Sequence, residues 1–158
     1  MRKQFEHLLY ERMASDERVY LITGDLGYGL WDRIRDTFPS RFYNVGSSEM
    51  VMMGTAIGLA MEGKVPFVYS ITPFAIYRPF EMIRNYLSHE QIPVNIIGGG
   101  RGRDYGYLGF SHWAEEDREI MSCLPNLRVL HPETQEQLES QFRDMMSLPA
   151  PTYMNLRK

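Results

Sequence analysis

The sequence predicts an α/β fold, a single doubly wound and mainly parallel sheet with helices on both faces. Two observations carry this prediction: short β-rich runs alternate with segments of helical periodicity, and the β-rich runs are continuously apolar. Continuous apolar runs are typical of strands buried on both faces of a parallel sheet. Right-handed crossovers between such strands complete a doubly wound arrangement. We expect one domain over residues 1–158, since this length suits a single core.

The first part of the chain contains two helices, each followed by a strand. Phe5, Leu9 and Met13 recur at helical spacing and predict the first helix. A glycine or proline ends each of the next elements. These elements are a strand over 19–23 before Gly24, a helix over 33–38 before Pro39, and a strand over 42–45 before Gly46.

The second part repeats the alternation of helix and strand. Predicted helices cover 47–62, 80–89, 115–124 and 133–146, and predicted strands cover 66–70, 94–97, 127–130 and 152–156. Gly63 closes the first of these helices, and Pro125 breaks the third. Pro66 is tolerated because it lies at the start of its strand.

The composition excludes several classes of protein. A net charge of −3 gives no electrostatic basis for binding nucleic acid. No apolar run approaches the roughly 20 residues of a membrane span, and the N-terminus lacks the apolar core of a signal peptide. The single cysteine, Cys123, excludes an internal disulfide and favours a cytoplasmic location. Its neighbours Met121 and Leu124 predict a buried, inert thiol. Eleven methionines and 13% aromatic residues leave apolar surface for a partner.

Ligands of open parallel sheets bind beyond the carboxyl ends of the strands. Four segments follow predicted strands at that edge: 24–27, 46–49, 70–78 and 98–112. None of them matches a nucleotide fingerprint or a phosphate-binding loop, so we expect this chain not to bind phosphate itself. The glycines and arginines of 98–103 indicate a flexible loop that lets a ligand approach the backbone.

Glu49 is the first candidate catalytic residue. It opens a helix whose next four residues are all apolar. One interpretation is a carboxylate that caps free backbone N–H groups at the helix start. The other is a catalytic acid whose protonation is tuned by apolar burial.

Three further candidates each have a structural alternative. Asp25, between two glycines, is a turn former or a site residue. Phe74 either packs its segment or stacks on a flat ligand ring. His112 is either an exposed residue before the acidic start of a helix or a site residue. No His, Cys or carboxylate spacing predicts a metal site.

Taken in order, these motifs closely resemble the pyrimidine-binding domain of transketolase and its relatives. The resemblance covers essentially the whole chain. It rests on GDLG at 24–27, NVGSSE at 44–49, GLAMEG at 58–63, PFVYS at 66–70, RPFEMIRN at 78–85, YGYLGFSH at 105–112 and LPNL at 124–127. The fold it implies is the thiamine diphosphate-binding fold of the pyrimidine type.

The resemblance also implies roles for individual residues. The residue matching Glu49 hydrogen-bonds N1′ of the cofactor's aminopyrimidine, which helps the 4′ nitrogen take the proton from C2. The residue matching Phe74 stacks on the pyrimidine, and the residue matching His112 lies beside the substrate. Asp25 and Ser48 are expected near the cofactor. We therefore expect Glu49 and His112 to be catalytic, and Glu49, Phe74, Asp25 and Ser48 to bind the cofactor.

The resemblance further implies that the site is incomplete. The G-D-G motif and asparagine that hold the diphosphate and Mg²⁺ in the family are missing here, and so is the third domain of transketolase. We expect a separate diphosphate-binding chain to hold Mg²⁺ and to form a heterotetramer with two copies of each chain. Asn155 stands where the family often has arginine, a difference that the sequence does not explain.

Three functions fit these expectations. The first is transfer of a two-carbon ketol unit between sugar-like molecules. The second is acyloin formation or 2-oxo acid decarboxylation by the same two halves. The third is a non-catalytic module, although a scaffold has no need of Glu49, Phe74 and His112 together. Gly100 and Leu108 align with the histidine and aspartate that bind ketose hydroxyls in transketolase, so we expect a modified or less hydroxylated donor unless Arg101 or Arg103 supplies those contacts.

Overall fold

The computed structural model describes residues 1–158 and contains one six-stranded sheet. All strands are parallel and lie in the order β2-β1-β3-β4-β6-β5. The strands are β1 Val19–Thr23, β2 Phe42–Asn44, β3 Val65–Ile71, β4 Asn95–Gly99, β5 Arg128–Leu130 and β6 Thr152–Leu156. The predicted α/β class is confirmed, and the sheet is parallel throughout.

Helices cover both faces of this sheet. The α-helices are α1 Arg2–Ser15, α2 Asp32–Thr37, α3 Glu49–Met61, α4 Thr72–Tyr77, α5 Phe80–Met82, α6 Asp117–Ser122 and α7 Gln135–Ser147. A π-helical segment, Ile83–His89, continues α5. Short 3₁₀ turns occur at Pro39–Arg41, Gly106–Leu108 and Phe110–His112. None of these helices is long and apolar enough to cross a membrane.

The core consists of two apolar clusters, one on each face of the sheet. One cluster joins α3, α4, the π-helical segment and α6 to side chains such as Val68 and Ile96. The other joins α1, α2 and α7 to Phe67 and Ile97. Adjacent strand residues thus enter opposite clusters, because successive side chains of a strand point to opposite faces. Each fully buried Leu, Ile or Phe contributes about 1.5–3 kcal/mol to this packing.

The segment that follows β3 differs from the prediction. No helix was predicted between the strand over 66–70 and the helix over 80–89, but β3 passes directly into α4. Pro73 lies in the first turn of α4, where its fixed φ suits a helix and its missing N–H costs nothing. Phe74 therefore lies on α4, and Arg78 directly follows α4, at the carboxyl edge of the sheet.

Two other predictions are wrong. Gly98 and Gly99 belong to β4 and are buried, so they are not part of a flexible loop. A side chain at Gly99 would meet the Tyr69 hydroxyl at 2.5 Å, which explains the need for glycine there. Cys123 is exposed rather than buried, because α6 ends at Ser122 and the inward positions belong to Met121 and Leu124.

Candidate functional site

Glu49 lies at the carboxyl edge of the sheet as the first residue of α3. Its side chain is only 1% exposed. The Ser70 hydroxyl donates to Glu49 Oε1 at 3.0 Å, and Arg78 Nη1 donates to Oε2 at 2.6 Å. The carboxylate accepts no backbone N–H bond at the helix start, so the interpretation of Glu49 as a helix cap is wrong.

Two neighbouring strands create the space for this carboxylate. Thr23, the last residue of β1, pairs with Tyr69 of β3, so the next residues, Gly24 and Ser70, lie side by side. A Cβ atom at Gly24 would lie 3.2 Å from Glu49 Oε1. The absence of a side chain at Gly24 therefore leaves room for the carboxylate, and Ser70 fixes one of its oxygens.

Phe74 and His112 lie together, and Arg78 links them to this carboxylate. Their ring centroids are 4.9 Å apart in an edge-to-face arrangement, and both residues are half-buried. Ser111 Oγ lies 3.0 Å from His112 Nδ1. Arg78 connects the two parts of the site, because its Cζ lies 3.9 Å from the centroid of the Phe74 ring while Nη1 bonds Glu49. The structure thus brings Glu49, Phe74 and His112 into one site.

Asp25 and Ser48 are not part of these contacts. The Asp25 carboxylate accepts hydrogen bonds from the Tyr28 hydroxyl and from the Asn44 amide, and these bonds hold its pKa below the usual range. Asp25 has φ +59°, so it occupies the left-handed conformation of a turn. Ser48 precedes Glu49 at the N-cap of α3, but its side chain makes no capping bond.

Asn155 is the centre of a buried polar network behind the site. Its amide nitrogen lies 2.8 Å from Asp117 Oδ2 and 3.1 Å from Thr72 Oγ1. It also lies 3.2 Å from the Gly100 carbonyl oxygen, to which Thr72 Oγ1 donates at 2.6 Å. This network ties β6 and α4 to the start of the segment that carries His112.

The same network contains two titratable side chains with shifted pKa values. Burial raises the pKa of Tyr153, whose hydroxyl donates to Asp117 Oδ2. Burial lowers the pKa of His131, whose Nε2 lies 3.5 Å from Asp117 Oδ2. Both shifts favour the neutral forms of these two side chains, the phenol of Tyr153 and the imidazole of His131.

Arg101 and Arg103 are both engaged away from Phe74 and His112. Arg101 donates to Asn155 Oδ1 at 3.0 Å, to the Asn155 carbonyl at 2.8 Å and to Glu133 at 2.7 Å. Arg103 donates to Glu115 at 3.0 Å, with its guanidinium over the Trp113 ring. Arg101, with its side chain only 12% exposed, is not free to replace the hydroxyl contacts that Gly100 and Leu108 lack. Arg103 is held only by contacts at the surface.

The shape of the site near Gly100 follows from its backbone. Gly100 has φ +92°, and a Cβ atom there would lie 2.3 Å from the Tyr105 ring. Tyr105 is buried, and its ring centroid lies 6.5 Å from that of His112. Leu108 is 42% exposed in a 3₁₀ turn. Gly100 has no side chain and Leu108 has an aliphatic one, so neither position offers a side-chain hydrogen bond to a substrate hydroxyl.

The structure contains no cluster of three or more His, Cys, Asp or Glu side chains that could hold a metal ion.

The contacts of Ser70, Arg78 and Asn155 were not identified from the sequence. Ser70 could have been predicted as a site residue, because it lies near the end of β3 beside β1 and ligands bind beyond the ends of such strands. The contacts of Arg78 and Asn155 depend on packing between distant elements, for which the sequence carries no local signal.

Comparisons with known proteins agree with this architecture. The sequence profile of the transketolase pyrimidine-binding domain matches residues 1–158. The putative transketolase C-terminal section of Methanocaldococcus jannaschii is 32% identical over 99% of this chain and 50% of its own length. The 6-deoxy-6-sulfo-D-fructose transketolase subunit SqwH of Clostridium sp. is 30% identical over 99% of this chain and 49% of its own length. The chain therefore spans about half the length of these relatives.

Solved structures show the same likeness. A split-gene transketolase described as an inactive β4 tetramer has a TM-score of 0.85 and 30% identity, covering 99% of this chain and 50% of its own. Transketolase from Campylobacter jejuni has a TM-score of 0.89 at 18% identity, covering 99% of this chain and 25% of its own, which shows the shared fold alone. The chain belongs to the transketolase pyrimidine-binding domain family and is homologous to subunits of split-gene transketolases.

Proposed function

We propose that this chain is the pyrimidine-binding subunit of a two-chain, thiamine diphosphate-dependent, transketolase-like enzyme. A single observation carries the proposal: at the carboxyl edge of the sheet, Arg78 contacts both the buried carboxylate of Glu49 and the half-buried ring of Phe74, which packs against His112. These residues fit the aminopyrimidine, which needs a proton-sharing carboxylate for N1′ and an aromatic face for its ring. When bound, thiamine diphosphate supplies the carbon that attacks the donor's carbonyl group and stabilises the resulting charge.

In this proposal, the chain's own residues share the proton of N1′ and support the aminopyrimidine ring. Glu49 Oε2 is the oxygen that would share a proton with N1′, because Oε1 is bonded to the buried Ser70, whereas the partner of Oε2 is the exposed Arg78. Ser70 orients the carboxylate, and burial among apolar residues keeps water away from it. Phe74 supports the ring, and His112 lies beside it where it would contact the substrate.

The partner in this proposal is a separate chain that binds the diphosphate and Mg²⁺. Tyr107 and Phe110, at the carboxyl edge near His112, are 78% and 85% exposed. Large aromatic side chains at this level of exposure favour a protein contact rather than a solvated surface. Together with the relationship to split-gene subunits, this supports a contact with a partner chain. We propose that the assembly is a cytoplasmic heterotetramer with two copies of each chain.

The expected donor is a modified or less hydroxylated ketose. Leu108 cannot bond a hydroxyl, and a buried hydroxyl without a partner costs about 1–3 kcal/mol. Arg101 is bound within the buried network around Asn155 and so does not supply that contact, and Arg103 is paired with Glu115 at the surface. A site of this composition disfavours the ordinary ketose phosphates.

A donor panel on the assembled two-chain enzyme tests the proposal. We expect ketol transfer with a modified or deoxygenated ketose to exceed that with xylulose 5-phosphate or fructose 6-phosphate. His112→Ala should lower kcat far more than it weakens cofactor binding, whereas His89→Ala, at the exposed end of the π-helical segment, should leave both unchanged. The absence of ketol transfer with every donor would contradict the function, and a preference for the two ordinary ketose phosphates would contradict the donor assignment.

A further inference from the structure

Arg78 occupies both of the contacts that the proposed site offers to an aminopyrimidine. Its Nη1 donates to the outward oxygen of Glu49 at 2.6 Å, and its guanidinium carbon lies 3.9 Å from the centroid of the Phe74 ring. A guanidinium is planar and carries N–H donors in its plane, so it satisfies a carboxylate and an aromatic face at the same time. An aminopyrimidine protonated at N1′ presents the same combination of a flat ring and an in-plane N–H donor.

The two ends of this contact differ strongly in exposure. The Glu49 side chain is 1% exposed, whereas that of Arg78 is 46% exposed. The carboxylate cannot reach water without unpacking the start of α3, but the arginine can rotate into solvent. Displacement of the arginine would leave the buried carboxylate without a counter-ion, which is unfavourable unless another N–H donor takes its place.

We infer that Arg78 is the resident partner of Glu49 and Phe74 in the unloaded chain, and that the cofactor's aminopyrimidine binds by displacing it. This inference rests on the proposed function, since it takes Glu49 and Phe74 as the pyrimidine site. Arg78 protects the buried carboxylate before the chain is loaded, and it lowers the affinity of the free chain for the pyrimidine. The diphosphate site of the partner chain then provides the additional affinity that displacement requires.

Thiamine, which carries the aminopyrimidine without the diphosphate, is the probe for this half of the site. We would titrate it into the full chain and follow the backbone amides near Phe74 by NMR. The variants are Arg78→Met, which keeps the length of the side chain without its charge, and Arg84→Met as the matched control. Arg84 is exposed and bonds only Asn85.

Arg78→Met should bind thiamine about five- to twentyfold more tightly than the wild type, as expected from loss of a competing ion pair and a cation–π contact. Arg84→Met should match the wild type. Equal or weaker binding by Arg78→Met would overturn the inference. Failure of both the wild type and Arg78→Met to bind thiamine would instead contradict the proposed function, because neither would then have a pyrimidine site.

A second measurement follows the arginine itself. In the wild type labelled on arginine nitrogen, the Arg78 guanidinium should show slow rotation that is lost in Glu49→Gln and on addition of thiamine. Retention of the slow rotation in the thiamine-bound chain would show that the arginine is not displaced, and would overturn the inference even if thiamine binds.

Discussion

At the scale of single residues, the function of Glu49 depends on its surroundings more than on its position in the helix. A carboxylate at a helix start usually bonds free backbone N–H groups. Here the side chain turns instead towards Ser70 and Arg78, because Gly24 leaves space beside the ends of β1 and β3. In the proposed function, this residue would exchange a proton with the bound ring instead of capping the helix.

Glu49→Gln is the substitution that tests this role. In the assembled enzyme it should slow deuterium exchange at C2 of the cofactor by about 10²–10⁴-fold, because it removes a proton transfer needed in every turnover. Glutamine retains a similar shape, so assembly should be unchanged. Glu62→Gln, at the exposed end of α3, is the control and should exchange at the wild-type rate. Wild-type exchange in Glu49→Gln would mean that its carboxylate is only structural.

Part of this site could be predicted from the sequence. Carboxyl ends of parallel strands share an edge, so the segments of Glu49, Phe74 and His112 were expected at that edge. Phe74 does pack against His112, and Arg78 joins Phe74 to Glu49. The partners of the carboxylate could not be predicted, because Arg78 reaches Glu49 from an element 29 residues away. The exposed position of Cys123 was also missed, since apolar neighbours in sequence do not determine which side of a short helix end a residue takes.

At the scale of elements, strands were easier to predict than the segments that connect them. Each predicted strand overlaps an observed one. For the buried central strands the reason is that burial on both faces requires a continuous apolar run, whereas the edge strands β2 and β5 are only partly buried. Helix α4 was missed because it begins without an intervening loop and carries a proline in its first turn. The π-helical turn over Ile83–His89 has no counterpart in a prediction based on a 3.6-residue period.

The network around Asn155 shows how the elements hold the His112 segment in place. Its amide connects β6 to Thr72 of α4 and Asp117 of α6, and its Oδ1 accepts from Arg101. An arginine at this position would bring a second cation next to Arg101. Asparagine is neutral, and it accepts a hydrogen bond from Arg101 while it donates one to Asp117.

Asn155→Ala should lower the free energy of unfolding by about 1–3 kcal/mol, because it leaves buried polar groups such as Asp117 Oδ2 short of partners. Urea denaturation of the chain measures this change. Asn85→Ala, which removes a half-buried side chain bonded only to the exposed Arg84, serves as the control and should change stability by less than about 0.5 kcal/mol. An equal effect of the two substitutions would show that the network contributes nothing specific to stability.

At the scale of the whole molecule, the carboxyl edge is both the site and the proposed contact with the partner chain. Phe110→Ser should therefore weaken assembly with the diphosphate-binding chain, by about tenfold or more if the ring is buried on binding. Met61→Ser removes a similarly exposed apolar side chain from the far end of α3 and should leave assembly unchanged. Analytical ultracentrifugation of each variant mixed with the partner chain measures assembly. Equal assembly by the two variants would show that Phe110 is not part of the interface.

The central claim is that this chain holds the pyrimidine end of the cofactor and depends on a partner for the diphosphate and its metal. Calorimetric titration with thiamine diphosphate and Mg²⁺, on the chain alone and on the mixture with its partner, tests this claim most directly. We expect weak binding to the chain alone, because the diphosphate and metal contribute much of the affinity and no cluster here can hold a metal. The mixture should bind tightly and only when Mg²⁺ is present. Tight, magnesium-dependent binding by the chain alone would contradict the account.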